Sequence, residues 1–212
     1  PYISNDVSLG AMEEHNKICE DGILCYGTNA SGKSSLMKAV GLSVIMAQMG
    51  MYVPCSSFRF NPFDQLLTRI TDGDNIFKGQ SSFVVEMMEL RTILRRAGPR
   101  SLVLGDEVCH GTEQTSGLAI VATSIQELSQ RNTKFIFATH LHDLSRLEIT
   151  KDLPNVGHYH LKVHYDKTAD ILTYDRRLER GPGDAIYGLE VAKYVISDSH
   201  FVERAMKVRR DI

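Results

Sequence analysis

Short runs of apolar residues alternate along this chain with longer segments whose apolar positions return every three or four residues. Gly22-Ile23-Leu24-Cys25-Tyr26 has no charged interruption and predicts a buried strand. A helical pattern follows from about Lys33 to Met49. The most apolar stretch, Ala39 to Val53, contains Ser43, Gln48, Gly41 and Gly50 and is shorter than a bilayer span. It reads as a buried helix, and nothing in the chain is expected to cross a membrane. Pro54 and Pro62 bound an irregular stretch, Leu66 to Ile70 predicts a short strand, and Asp72-Gly73-Asp74 a turn. Ser82 to Arg96 places Phe83, Met87, Leu90 and Leu94 on one helical face and stops at Gly98-Pro99.

Ser101 to Gly105 is a second buried-strand pattern and runs directly into Asp106-Glu107. A helix from Gly117 to about Gln130 and a strand from Lys134 to Ala138, ending at Thr139-His140, come next. Strands alternating with long helices predict an α/β fold, its sheet mostly parallel and covered on both faces. Beyond Pro154 the texture changes. His158 to Tyr165 and Ile171 to Leu178 predict an antiparallel pair around the polar turn Asp166 to Asp170. Two shorter helical segments, Gly188 to Ile196 and His200 to Arg209, follow.

Composition changes this picture little. The 212 residues suit one domain with at most a small appendage, and 42% hydrophobic with 24% charged residues is ordinary for a globular chain. A net charge of −2 gives no sign of a strongly basic nucleic-acid surface. Cys19, Cys25, Cys55 and Cys109 form no CxxC pair, so reduced thiols in an intracellular reducing compartment are expected. The chain opens at Pro1, without a leader pattern, and is expected to be a piece of a longer protein.

The chemistry sits at the strand ends. Gly27-Thr28-Asn29-Ala30-Ser31-Gly32-Lys33-Ser34, with Ser35 following, fits G-x-x-x-x-G-K-[ST] between a strand and a helix. In that pattern the glycines let backbone N–H groups face phosphate oxygens at the positive end of the helix. Lys33 would reach the β- and γ-phosphates of ATP and the Ser34 hydroxyl would hold Mg²⁺. Asp106 ends a strand where it can hold the metal through water, and Glu107 is placed to polarise an attacking water. His140 should leave the next strand on the same edge, within reach of a γ-phosphate. His158, His160 and His164 alternate on one strand, with His142 nearby; no Cys or carboxylate completes a zinc spacing, so a solvated strand face is expected. Phe201-Val202-Glu203 matches a Phe-x-Glu base wedge only in letters. Its helical position makes Phe201 an expected core residue.

Several segments together resemble the ATPase domain of the MutS family of DNA mismatch-repair proteins. They are Thr28-Asn29, Gln48 to Pro54, Gly79-Gln80-Ser81-Ser82-Phe83 through Glu86-Met87, Asp106-Glu107, Gly111-Thr112, Ala138-Thr139-His140 and Tyr187-Gly188-Leu189. The resemblance runs from about Tyr2 to Ala192. It implies a P-loop NTPase fold of ABC type over residues 1–196, with 197–212 beginning a helical dimerisation segment. It further implies a homodimer of such domains with composite ATP sites, Ser81 reaching the partner's γ-phosphate. By the same resemblance Tyr2 stacks on adenine with Ile3 beside it, and mismatched DNA is read by domains that have no counterpart in these residues.

Two positions depart from the family pattern. Cys109-His110-Gly111-Thr112 stands where the family usually has Gly-Arg-Gly-Thr, and Ser116 where it has Asp. The Cys-His-Gly-Thr-Glu form is associated with a branch from large DNA viruses and coral mitochondria. The alternatives are another ABC-type ATPase, which predicts a Leu-Ser-Gly-Gly-Gln signature that is missing here, and a nucleotide-dependent binding switch with little turnover. A small-molecule kinase would need an Arg-rich lid, and none is visible.

Overall fold

The structure is a computed structural model that describes residues 3–10, 20–28, 31–70, 82–109, 111–166, 171–183 and 199–211. Six strands form one sheet in the order β2-β3-β4-β1-β5-β6. They are β1 (Gly22–Tyr26), β2 (Gln65–Arg69), β3 (Ser101–Asp106), β4 (Lys134–Thr139), β5 (Val156–Asp166) and β6 (Ile171–Arg180). All neighbouring pairs are parallel except β5 with β6. The helices are α1 (Lys33–Gln48), α2 (Ser82–Arg96), α3 (Gln114–Gln130), the single turn α4 (Glu148–Lys151) and α5 (Ser199–Asp211). The mixed α/β architecture expected from the sequence is thus present. Among the described residues no helix is long and apolar enough to cross a membrane.

The uninterrupted apolar runs follow from burial on both faces of the sheet. Successive side chains of a strand point to opposite faces, and the core divides accordingly. Leu24, Tyr26, Val103, Phe135 and Phe137 pack with Leu90 and Ile93 of α2 and with Val121, Ile125 and Leu128 of α3. Ile23, Cys25, Leu102, Leu104 and Ile136 pack with Met37 and Val44 of α1. Helix α1 therefore covers one face, and α2 with α3 the other.

The antiparallel pair after Pro154 is present, but it is no separate appendage. Strand β5 also pairs in parallel with β1, Gly22 opposite Val156 and Tyr26 opposite His160, so the hairpin extends the main sheet. A bulge lies between the pairs Leu161–Leu178 and Val163–Tyr174, and on β6 it puts Arg176 at φ +61°. The N-terminal segment is tied to that strand: Asn5 Nδ2 donates to the Arg176 carbonyl at 3.0 Å, and the Leu178 amide donates to Asn5 Oδ1 at 2.7 Å.

Three expectations need correction. The α3 helix begins at Gln114 rather than Gly117, because the Glu113 carboxylate caps it by accepting from the Thr115 and Ser116 amides at 2.9 and 3.3 Å. Phe201 is not a core residue: it is 51% exposed, whereas its neighbour Val202 is buried at 2%. The histidines of β5 do not form a uniformly solvated face: His164 is exposed, but His158 is covered by neighbouring side chains. His158 is half-buried, stacks on Tyr26 with ring centroids 5.7 Å apart, and shares a 2.9 Å hydrogen bond between its Nδ1 and the Tyr26 hydroxyl. The expected helix from Gly188 to Ile196 lies outside the described residues.

Candidate functional site

Parallel register brings the chemistry to one edge. Tyr26 lies opposite Thr139 and Asp106 opposite Ala138, so Gly27, Glu107 and His140 all leave the sheet at the same end. From β1 the chain crosses by α1 to the β2 side, whereas β5 lies on β1's other flank. Such a reversal of strand order opens a crevice at the carboxyl ends of the strands.

Gly27 and Gly32 shape the connection from β1 to α1, both at positive φ. At Gly27 φ is +151°, and a Cβ there would also stand 2.9 Å from Ser31 Oγ. At Gly32 there is room, the nearest atoms being Leu161 Cδ1 at 3.7 Å and Arg176 Cδ at 3.9 Å, but φ is +107°. There the backbone conformation, rather than space, calls for glycine. Helix α1 starts at Gly32 with no side-chain cap and no acidic residue in its first turn. Its first amides and positive dipole end are left to face an anion.

Lys33 connects this loop to the acidic pair. Its side chain is 4% exposed, and Nζ donates to the carbonyls of Gly27 and Thr28 at 2.6 and 2.9 Å. The same ammonium is 3.7 Å from Glu107 Oε1. Burial lowers the Lys33 pKa, and the facing Glu107 carboxylate opposes that shift. Asp106 is buried at the end of β3, and Glu107 begins the following turn at φ +47° with its amide donating to the Ala138 carbonyl at 2.9 Å. His140 is exposed, and its turn is fixed by the Leu141 amide donating to Thr139 Oγ1 at 3.0 Å.

These residues fit a magnesium nucleotide. The buried hydroxyl oxygens of Thr28 and Ser31 have no hydrogen-bond partner among the described residues, and both lie in the loop. Ser34, half-buried, and Asp106 offer the hard oxygen ligands that Mg²⁺ takes. Among the described residues no cluster of three or more His, Cys, Asp or Glu could hold a metal. A cation here would draw its remaining ligands from phosphate and water, which is the habit of Mg²⁺.

Of the other sequence candidates, Ser35 is exposed in the first turn of α1 and Ile3 is half-buried in the segment beside β6. Tyr2, Asn29, Ala30, Ser81, His110 and the Tyr187–Leu189 motif lie outside the described residues. The sequence reading missed Arg176, whose side chain runs beside Gly32. No motif marks it, because a β-bulge far along the chain brings it there.

Fold and site together define an α/β domain with an amide-lined helix start, a buried lysine and an acidic pair at one switch point. The family profile described as MutS domain V matches residues 23–212. A mitochondrial DNA mismatch repair protein mutS homolog from Sarcophyton glaucum is 45% identical over 206 residues, covering 95% of this chain and 20% of that protein. A putative DNA mismatch repair protein mutS homolog from Acanthamoeba polyphaga mimivirus is 43% identical over 211 residues, 97% of this chain and 19% of that protein. The DNA mismatch repair protein MutS of Finegoldia magna is 34% identical over 212 residues, 100% of this chain and 24% of that protein. The chain belongs to the MutS family, and it spans between 19% and 24% of the length of these relatives.

Proposed function

We propose that this chain is a P-loop ATPase domain of ABC type, binding ATP with Mg²⁺ and hydrolysing it within a MutS-like mismatch-repair protein. The observation that carries the proposal is Lys33, whose ammonium joins the Gly27–Thr28 carbonyls to Glu107 across the strand ends. In this reading the α1 amides and Lys33 hold the phosphates, and Ser34 and Asp106 hold the metal. Mg²⁺ supplies charge neutralisation at the β- and γ-phosphate oxygens. Glu107 orients and polarises water, and His140 faces the γ-phosphate. Arg176 adds a second positive side chain beside the start of α1, and Tyr2 with Ile3 takes the adenine.

The domain is assigned to 1–196, with 197–212 opening a helical dimerisation segment. A second copy completes each site through Ser81, and mismatched DNA is met by other parts of such a protein. Nucleotide titration and phosphate release on the chain and on Lys33→Ala test the core of this. Lys33→Ala should weaken ATP binding and abolish hydrolysis; undiminished turnover removes the assigned site. Mixing Ser81→Ala with Lys33→Ala should restore activity through one intact composite site per mixed dimer. A mixture as inactive as its components, with dimers formed, counts against action across the dimer.

A further inference from the structure

Helix α2 carries a carboxylate where its apolar face leads one to expect none. Glu86 falls three residues after Phe83 and four before Leu90, and it is 4% exposed. A buried charge is costly unless it is paired, and Glu86 is paired on both oxygens. Oε1 accepts from Arg69 Nη2 at 2.8 Å, Arg69 being the last residue of β2 and itself 13% exposed. Oε2 accepts a longer bond, 3.4 Å, from the Gly111 amide. Arg69 Nε also stands 2.9 Å from Glu89 Oε2.

Gly111 lies at the far end of the turn that begins with Glu107. That turn is strained: Glu107 and Cys109 take φ +47° and +67°, a region non-glycine residues rarely occupy. The turn is held at its start by the Glu107 amide on Ala138, and behind by α3, where a Cβ on Gly117 would come within 3.1 Å of the Cys109 carbonyl. Glu86 supplies the tie at its end. Replacing a buried ion pair by apolar residues is often neutral or stabilising, so the fold by itself gives little reason to keep this one.

We propose that Glu86, held by Arg69, is a positioning residue: through the Gly111 amide it fixes the strained turn that presents the Glu107 carboxylate. The proposal rests on the ATPase reading above. It assigns Glu86 to the hydrolytic step and leaves nucleotide binding to β1 and α1. A positioning error far smaller than unfolding is enough to slow chemistry strongly.

Glu86→Gln and the paired Arg69→Met/Glu86→Met variant of the whole chain test it, because the pair removes both charges and keeps apolar volume. Three quantities are measured: ATP affinity with thermal midpoint, single-turnover phosphate release, and iodoacetamide alkylation of Cys109 located by mass spectrometry. Buried Cys25 on β1 serves as the internal control. Both variants should keep ATP affinity within about twofold, lose hydrolysis by roughly tenfold or more, and alkylate Cys109 about tenfold faster with Cys25 unchanged. A native Cys109 rate in the folded double variant overturns the proposal, as does native hydrolysis beside fast Cys109 labelling. If the unaltered chain hydrolyses no ATP, the ATPase reading fails and the catalytic role of Glu86 fails with it. The Cys109 rates still show whether Glu86 holds the turn.

Discussion

Helices α1 and α3 both follow a parallel strand at the same sheet edge, yet their first turns are finished in opposite ways. At α3 the Glu113 carboxylate accepts from the Thr115 and Ser116 amides and from Ser116 Oγ, so the helix caps itself. At α1 the cap position is Gly32, no side chain caps it, and the Lys33 ammonium lies beside it, 3.7 Å from Glu107 Oε1. A self-capped start has spent its amides. A start finished by glycine and lysine keeps them for an outside anion, and a negative side chain placed there would compete with it. The same edge thus has one helix start with a side-chain cap and one without. Ser116, in place of the family's Asp, serves the capped one.

The largest expected effect bears on the carboxylate that faces the α1 start. Glu107→Gln retains shape but loses the charge that polarises water, so ATP should still bind while single-turnover hydrolysis falls by roughly two to four orders of magnitude. Native hydrolysis in this variant would remove Glu107 from the chemistry and reduce its 3.7 Å approach to Lys33 to a structural ion pair.

A smaller effect separates conformation from space at Gly32. A Cβ there meets nothing closer than 3.7 Å, but the φ of +107° strains any side chain, at a cost of about 1–3 kcal/mol. Gly32→Ala should therefore lower ATP affinity by about tenfold, because the loop relaxes toward a form that turns its amides away. Titration calorimetry reads this directly. Unaltered affinity would mean that the left-handed start of α1 is unnecessary for binding.

The contrast also explains what the sequence could and could not disclose. Apolar runs buried on both faces, such as Leu102 to Leu104 and Phe135 to Ala138, mark strands without help from tertiary structure, and their ends located Asp106, Glu107 and His140. The phosphate-type loop was legible because its glycines and lysine act over eight consecutive residues. Glu113 was passed over because glutamate is not among the favoured capping residues. His158 was misjudged because alternation shows which residues share a face, whereas the Tyr26 ring that covers it comes from a strand distant in sequence. Arg69, Glu86 and Arg176 depend on contacts between distant segments. For Glu86 alone a local signal existed, a charge spaced into the apolar stripe of α2.

The smallest effect is expected at α3, and it should leave ligand binding alone. Glu113 is exposed, and its carboxyl is held below the ordinary glutamate range chiefly by the hydrogen bond from the Ser116 hydroxyl, with Thr115 contributing next. A carboxylate whose folded pKa is depressed adds stability that is fully present above its unfolded value, about 4.3, and is lost as pH falls through the folded value. Glu113→Ala should lower the thermal midpoint by a few degrees at most near neutrality, since solvent and salt screen an exposed charge. The gap between variant and native chain should narrow as the pH is taken below that glutamate value. ATP affinity should not change, because no residue of α3 is among those assigned to the nucleotide. Melting curves across this pH range, paired with nucleotide titration at neutrality, test both halves. A gap that widens in acid contradicts the capping account, and a loss of ATP affinity would show that the two helix starts are not independent.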